Sequence, residues 1–540
     1  MSISIKIDGK TYDVPEGGRL IDVCHDVGIE IPHFCYHPGL GPDGNCRMCQ
    51  VELITGRGPI LAISCKTTVT DGMEVVTSSE RIKQVRASVE EFLLLDHPLD
   101  CPICDKAGEC TLQDYYYEYD LQDSRMKFPR EKKRKAIVLG ETLVLDQERC
   151  ILCNRCVRFL SDIAGKEELF IAGRGHESYL TTFPGREVTS PYSLNTVDLC
   201  PVGALTSRDF RFSSPTWFLS RSPSVCNTCS RGCNIEIDHK SGKIHRLRPR
   251  HNESVNSYWM CDEGRLNYKF VNENRLKEFK VTRGGKKVAA SSETAVREIL
   301  SALRPAGSGT PGSSSEAAAG EILILASLTC TIEELFLLKK LNGILTAANL
   351  YAVRHVPDGE EDNILRKADR HPNLKSAELL ELSIVDLRED GAGTGMSDIE
   401  GILSRGCTLL CVGFNYGISK ALLDVFSRAR TAIIAAACET PLMDKATIVV
   451  PALTFSEKEG LVINFQGHIQ RLHTALAPQG ESMNEWKLVN NLISMLDASK
   501  SFENITEVRR AVREEESAFA GVDLNAIGLT GVRIESLPIG

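Results

Sequence analysis

Hydrophobic and polar positions change rhythm several times along this chain. Near the N-terminus Ile3, Ile5 and Ile7 alternate with polar residues and Asp8-Gly9-Lys10 follows, which predicts a strand and a turn. A helical stretch over 20–27 and strands over 49–54 and 73–77 complete a small β-rich unit spanning residues 1–78. Residues 79–96 predict one amphipathic helix that ends in Leu93-Leu94-Leu95, just before His97-Pro98. After residue 276 the rhythm changes again. Apolar runs at 321–328, 408–414, 431–437 and 446–453 alternate with helical stretches such as 332–342, the order of a parallel α/β sheet. Residues 305–320, rich in Gly, Ser and Ala, and residues 390–398 are predicted as loops.

Composition narrows the class without naming a chemistry. A chain of 540 residues has room for several domains, and 42% hydrophobic with 25% charged residues suits soluble globular protein. The formal net charge of −9 argues against the concentrated basic face that nucleic acid requires. No apolar run approaches the roughly 18–20 residues of a membrane span. The longest, at 92–95 and 431–438, are expected in cores. Residues 1–10 alternate as a strand does, so they do not read as a signal peptide. Any membrane role is therefore expected to run through partners. Twenty cysteines without a secretion signal favour metal ligation over disulfides. Sixteen of them fall at or before Cys261, mostly in tight groups, while Cys330, Cys407, Cys411 and Cys438 are scattered.

The groups have distinct spacings. The first is Cys35-x10-Cys46-x2-Cys49-x15-Cys65, with Gly39, Gly41 and Gly44 in its loop. Glycines let a backbone fold closely around a cluster and aim N–H groups at its sulfurs. This set resembles a plant-type ferredoxin [2Fe–2S] site. Zinc, which four thiolates also suit, is the alternative. Cys24, on the predicted helix, reads as a buried apolar residue. The second set is His97-x3-Cys101-x2-Cys104-x5-Cys110. A lone histidine is usually structural, but three cysteines need a fourth partner and no unassigned cysteine lies nearby. The third set opens as Cys150-x2-Cys153-x2-Cys156, like a bacterial ferredoxin whose fourth cysteine is due at Leu160. Cys200-Pro201 has the form of a fourth cysteine, while the three positions that should precede it hold Ser190, Ser193 and Thr196. One cluster of an ancestral pair is thus lost with all its ligands, leaving Cys150, Cys153, Cys156 and Cys200 to hold the other. The fourth set, Cys226-x2-Cys229-x3-Cys233-x27-Cys261, is the one most open to a zinc reading. Fifteen cysteines and one histidine would make sixteen ligands, four for each of four clusters.

The order of these pieces, including the segment LLLDHPLDCPICDKAGECTLQD, resembles three related groups. They are the large iron–sulfur subunit of NADH:quinone oxidoreductase (respiratory complex I), some iron-only hydrogenases, and certain formate dehydrogenases. The fourth set leading into an α/β domain resembles the entrance of molybdopterin oxidoreductases. The segments FSEKEGLVINFQGHIQRL and DNILRKADRHPNLKSAELL are similar to the complex I subunit in particular. The resemblance implies a β-grasp [2Fe–2S] ferredoxin domain at 1–78 and a one-histidine, three-cysteine [4Fe–4S] segment at 79–125. It further implies a ferredoxin-like [4Fe–4S] domain at 126–215 and a molybdopterin-oxidoreductase-type [4Fe–4S] domain at 216–275. Residues 276–540 then form a shortened molybdopterin-oxidoreductase-like α/β domain without molybdenum. No late cysteine has the context of a molybdenum ligand, and the dense motifs of a hydrogenase active site are absent.

The function implied is electron transfer in the NADH-oxidising peripheral arm, with no complete substrate site on this chain and no catalytic residue. Electrons would arrive from an NADH/FMN-binding flavoprotein, alongside a small [2Fe–2S] subunit, and leave through quinone-module Fe–S subunits. The fourth cluster would stand off that path. The location implied is peripheral, on the cytoplasmic face of a bacterial inner membrane. The alternative is a diaphorase-type subunit of a soluble NAD-linked hydrogenase or formate dehydrogenase complex. A free-standing molybdopterin enzyme and a zinc-stabilised scaffold are further rivals. Among bland readings, Gly307-x-Gly309-x2-Gly312 contains Pro311 and follows no strand, so it is not read as a nucleotide loop. Residues 130–135 (REKKRK) read as a solvated face or a docking surface. Tyr115, Tyr116, Tyr117 and Tyr119 read as cover for the second set, and Trp217 and Trp259 as shields for the fourth.

Overall fold

The computed structural model describes residues 2–119, 123–304, 321–345, 347–388 and 395–534. The chain divides into two compact units, Met1–Leu219 and Ser220–Gly540. The predicted loop at 305–320, with its glycine triplet, lies outside the described residues, as do 389–394. The predicted loop at 390–398 is helical at its far end, because Met396–Ser404 forms a helix that buries Ile399, Ile402 and Leu403.

The N-terminal unit begins with the expected alternation. Ile5 and Ile7 point into a core that also holds Val51 and Val75. The five strands run in the order Lys10–Pro15, Ser2–Ile7, Glu74–Val76, Gln50–Thr55, Gly58–Ile63. Ser2–Ile7 pairs antiparallel with its hairpin partner and parallel with Glu74–Val76, so the sheet is mixed. The helix Leu20–Asp26 packs its Leu20, Ile21, Val23 and Cys24 on this sheet. Cys24 is fully buried, and burial first, then Asp8, pushes its thiol up to about 12. It behaves as a small apolar residue.

The helix Glu80–Leu94 forms where its periodicity predicts, capped by the Ser79 side chain, which accepts from the Ile82 N–H. Its buried face is not the apolar one that the sequence suggests. Ile82, Arg86 and Glu90, spaced four apart, turn inward. Arg86 donates to the carbonyls of Gln50 (3.0 Å) and Thr77 (3.1 Å). Phe92 is 73% exposed while Leu93, Leu94 and Leu95 are half-buried, so the expected core role of 92–95 fails at Phe92. The backbone carbonyls at the strand ends need a donor more than the core needs a phenyl ring.

The C-terminal unit carries an eight-stranded sheet. Six strands are parallel in the order Ile448–Pro451, Thr431–Ala436, Cys407–Val412, Glu321–Ser327, Ala348–Arg354, Ser383–Asp386, and the hairpin Phe279–Arg283/Lys286–Ala290 adds an antiparallel edge. Alternate residues of each central strand enter opposite cores. Ile322, Ile324, Leu410, Val412 and Ile433 face one, while Leu323, Leu325, Leu409 and Ile434 face the other. Burial on both faces explains why these strands read as continuous apolar runs. Cys407 and Cys411 sit in this packing and Cys330 in the opposite core, all fully buried.

One polar cluster penetrates that unit. Thr331 and Glu334 form a capping box that opens the helix Ile332–Ile344. Glu334 also accepts from Lys458 Nζ at 3.0 Å, and Lys458 reaches Glu485 at 3.1 Å. These side chains are 5% exposed at most. Arg509 beside them pairs with Glu333 at 2.7 Å. Lys458→Met is expected to strand two buried carboxylates and lower the stability of the C-terminal unit by about 3–5 kcal/mol, read as an earlier urea transition. Burial raises the Glu485 carboxyl to about 7, with Lys458 opposing and Glu334 adding to the rise. Below the unfolded carboxyl value both states hold the proton. Above it only the folded state does, so stability is expected to fall as pH rises from about 4.5 to 7. Glu485→Gln should flatten that slope, and an unchanged slope in urea titrations would refute the assignment.

Candidate metal centres

The first set is held by the loop between Leu20–Asp26 and Gln50–Thr55 and by the short turn Ser64–Lys66. Cys35, Cys49 and Cys65 are buried and Cys46 is half-buried. The Cys35 N–H points at Cys46 Sγ, 3.4 Å away. The four thiols contact one another in a chain. Hydrogen bonds from Cys46 and Cys65 hold the Cys35 thiol far below its ordinary value, and Cys65 brings Cys49 down to about 7. Cys46 and Cys65, their partners, are raised by the same bonds.

The second set follows the helix Glu80–Leu94. Cys101 is exposed, Cys104 half-buried and Cys110 buried. Burial first, then Arg149, lowers His97 to about 4, so its imidazole is neutral at pH 7. Its Nδ1 is buried without a hydrogen-bond partner. A neutral imidazole with an unpartnered buried nitrogen suits a metal ligand. Trp217 packs beside the second set. A Cβ on Gly108 would stand 2.8 Å from its ring, and Trp217 is 62% exposed. Tyr115 serves the first set instead of the second: its hydroxyl accepts from the His33 N–H at 3.1 Å and its ring packs edge-on against Phe34.

The third set surrounds a small cavity of about 20 Å³, lined by Cys150, Cys153, Cys156 and Cys200 with Ile151, Leu180 and Val202. Leu152 and Asn154 take left-handed backbone (φ 54° and 66°), which folds the CxxCxxC loop over it. Burial pushes the Cys150 thiol up to about 12 and Cys153 to about 11. The positions of the expected lost cluster are closed. Leu160, inside a π-turn, and Thr196 are fully buried, and Ser193 Oγ lies 2.6 Å from Thr142 Oγ1. Hydroxyls satisfied by their neighbours leave no room for a second group there.

Second and third sets share structure. The Thr111 N–H donates to the Pro201 carbonyl at 3.0 Å. A Cβ on Gly203 would fall 2.3 Å from Cys104 Sγ, so only glycine admits that sulfur. In the C-terminal unit the fourth set is wholly buried. A Cβ on Gly264 would lie 3.1 Å from Cys226 Sγ and 3.3 Å from Cys261 Sγ, and the Gly264 N–H donates to Cys261 Sγ at 3.3 Å. Burial raises Cys226 to about 11. Burial also raises Cys229, opposed by the N–H groups of Arg231 and Lys367. Arg231 reaches the Leu365 carbonyl at 3.0 Å and Arg370 pairs with Glu263 at 2.6 Å, fastening residues 364–370 over the set. Trp259, 7% exposed, lies two residues before Cys261 and helps close it.

Among the described residues no group of three or more His, Cys, Asp or Glu side chains could hold a metal ion as it stands. The four third-set cysteines nevertheless line one cavity together. Sequence reasoning missed Arg149, Arg155, Gly203 and the 364–370 cover. Only Gly203 and Arg155 carried a signal, through their places beside Cys-Pro and inside CxxCxxC.

Known proteins share this order of parts. Residues 1–80 match a 2Fe-2S iron-sulfur cluster binding domain, 86–125 an NADH-ubiquinone oxidoreductase-G iron-sulfur binding region, and 140–206 the ferredoxin-like domain of NADH-quinone oxidoreductase subunit 3. Residues 219–273 match a molybdopterin oxidoreductase Fe4S4 domain and 428–495 a molybdopterin oxidoreductase model. The chain is 36% identical to the NADH-quinone oxidoreductase G subunit of Rickettsia conorii over 353 residues, 65% of this chain and 50% of that one. It is 35% identical to the NADH-ubiquinone oxidoreductase 75 kDa subunit of Reclinomonas americana over 381 residues, 69% of this chain and 53% of that one. A chain of an NAD+-reducing [NiFe]-hydrogenase in its H2-reduced state aligns with a TM-score of 0.36 at 33% identity, covering 40% of this chain and 92% of that one. The chain spans about half the length of the curated relatives it matches. Through these matches, which run through all four cysteine sets, the chain is similar to the G, or 75 kDa, subunits of NADH-quinone oxidoreductase.

Proposed function

We propose that this chain carries electrons within the peripheral arm of an NADH:quinone oxidoreductase. Cys35, Cys46, Cys49 and Cys65 would hold one [2Fe–2S] cluster. Three [4Fe–4S] clusters would be held by His97 with Cys101, Cys104 and Cys110; by Cys150, Cys153, Cys156 and Cys200; and by Cys226, Cys229, Cys233 and Cys261. The observation that carries this reading is the third set, whose four cysteines, with Cys200 far from the other three in sequence, line one cavity together. Bound there, such clusters supply one-electron carriers. The chain's own residues set the conditions. Gly203 and Gly264 admit sulfur against backbone, N–H groups of Cys35, Gly264 and Lys367 donate to sulfur, and burial excludes water. Arg149 beside Cys104 offers a positive charge that favours the more negative state.

Residues 1–78, with a mixed sheet crossed by one helix, would be the β-grasp ferredoxin domain, followed by units at 79–125, 126–215 and 216–275. Residues 276–540 would be a molybdopterin-oxidoreductase-like domain that holds no molybdenum. Electrons would come from an NADH- and FMN-binding flavoprotein, with a small [2Fe–2S] subunit, and pass to quinone-module Fe–S subunits. Among the described residues no helix is long and apolar enough to cross a membrane. The chain would dock peripherally, at the cytoplasmic face of a bacterial membrane, through those partners.

EPR of the dithionite-reduced native complex is expected to show one [2Fe–2S] and three [4Fe–4S] signals from this chain, with iron and no molybdenum by metal analysis. A colourless, zinc-loaded protein without signals would overturn the reading. Stoichiometric molybdenum would overturn the assignment of 276–540. Co-purification with a hydrogenase or formate dehydrogenase subunit would refute the quinone partnership. His97→Ala is expected to perturb one [4Fe–4S] signal and spare the [2Fe–2S] signal, and Gly203→Ala should damage that same [4Fe–4S] signal. Four unchanged signals in His97→Ala would make His97 a structural residue.

A further inference from the structure

Arg155 lies inside the third set, between Cys153 and Cys156, yet its side chain serves two sets. It is 9% exposed and opens the short helix Arg155–Arg158 immediately after left-handed Asn154. Its Nη1 donates to the carbonyl of Leu199 at 3.2 Å, the residue before Cys200. Its Nη2 donates to the carbonyl of Tyr36, the residue after Cys35. One planar guanidinium therefore clasps a ligand-bearing segment of the third set and one of the first. A second tie supports it, because Asn45 Nδ2 donates to the Leu152 carbonyl at 3.3 Å, joining the residue before Cys46 to the residue before Cys153. Arg158, one turn on, donates to the Leu40 and Gly41 carbonyls of the first-set loop.

The charge needs a counterpart. A buried guanidinium without an anion nearby is strongly unfavourable. Two neutral carbonyls satisfy donors but supply no net charge, and Nε is buried without a partner. The groups that oppose the effect of its burial are sulfurs of both sets: Cys153, then Cys46, Cys35 and Cys200. Thiolates ligating iron would give it a compensating negative charge on two sides.

We propose that Arg155 is a shared positioning residue that clasps the first and third cysteine sets together and raises the reduction potentials of both clusters held there. A fixed cation stabilises whichever neighbour gains an electron, and here both neighbours lie within its reach. The clasp also fixes their separation, on which electron transfer between them depends. This inference rests on the cluster assignment above.

The test is an EPR-monitored redox titration of the native complex carrying Arg155→Met or Arg155→Lys, with the third-set signal identified by its response to Cys153→Ser. In Arg155→Met the [2Fe–2S] signal and the third-set signal are both expected to move to more negative potential, while the other two [4Fe–4S] signals stay in place. Arg155→Lys, which restores the charge, should bring both most of the way back. A shift confined to one set, a shift of all four signals, or no shift overturns the proposal. If Arg155→Met fails to assemble, Arg155→Gln takes its place with the same paired shift expected. A wild-type complex lacking either signal would sink the cluster assignment itself. Both signals present without a paired shift would sink only the role of Arg155.

Discussion

Taking sulfur out of water is the constraint on which the N-terminal unit depends. A buried thiol resists ionisation, as Cys150 at about 12 and Cys153 at about 11 do, while a ligand must be a thiolate. Everything packed round these sets answers that conflict. N–H groups aim at sulfur, Arg149 and Arg155 bring positive charge into the interior, and burial keeps the His97 imidazole neutral. Glycine is needed where sulfur and backbone meet, at Gly203 and likewise at Gly264 in the C-terminal unit, because a single Cβ would occupy the space.

The same constraint orders the unit. The third set shares the Thr111–Pro201 bond and Gly203 with the second, and the Arg155 clasp with the first. It therefore connects two sets that precede it in the chain. Closed positions beside it, at Leu160, Ser193 and Thr196, make the local core solid where a related two-cluster protein would hold a second group.

In the C-terminal unit ordinary packing takes over. The two faces of the parallel sheet are sealed by separate cores, and its cysteines are part of that packing. The buried Lys458, Glu334 and Glu485 cluster ties the first turn of Ile332–Ile344 to later segments of the chain. Replacing one member of such a cluster costs far more than its exposed equivalent, since each charge was desolvated on the strength of its partner. The cover over the fourth set comes from this unit too, through residues 364–370.

Local patterning along the chain specifies the elements and the inventory of donors. Period-two alternation at Ile3, Ile5 and Ile7 and the long apolar runs specify strands, because side-chain direction repeats along the backbone whatever the fold. Cysteine spacing separates four sets and leaves Cys24 aside for the same local reason. Which faces are buried and which sets are neighbours is settled only by the folded chain. Nothing local distinguishes Phe92, exposed, from Arg86, buried, because that choice turns on carbonyls of Gln50 and Thr77 waiting for a donor. Nor does spacing reveal that Trp217 stands on Gly108, or that Arg155 reaches Tyr36. Those contacts join residues about a hundred positions apart, and a long-range contact exists only once the chain between has folded.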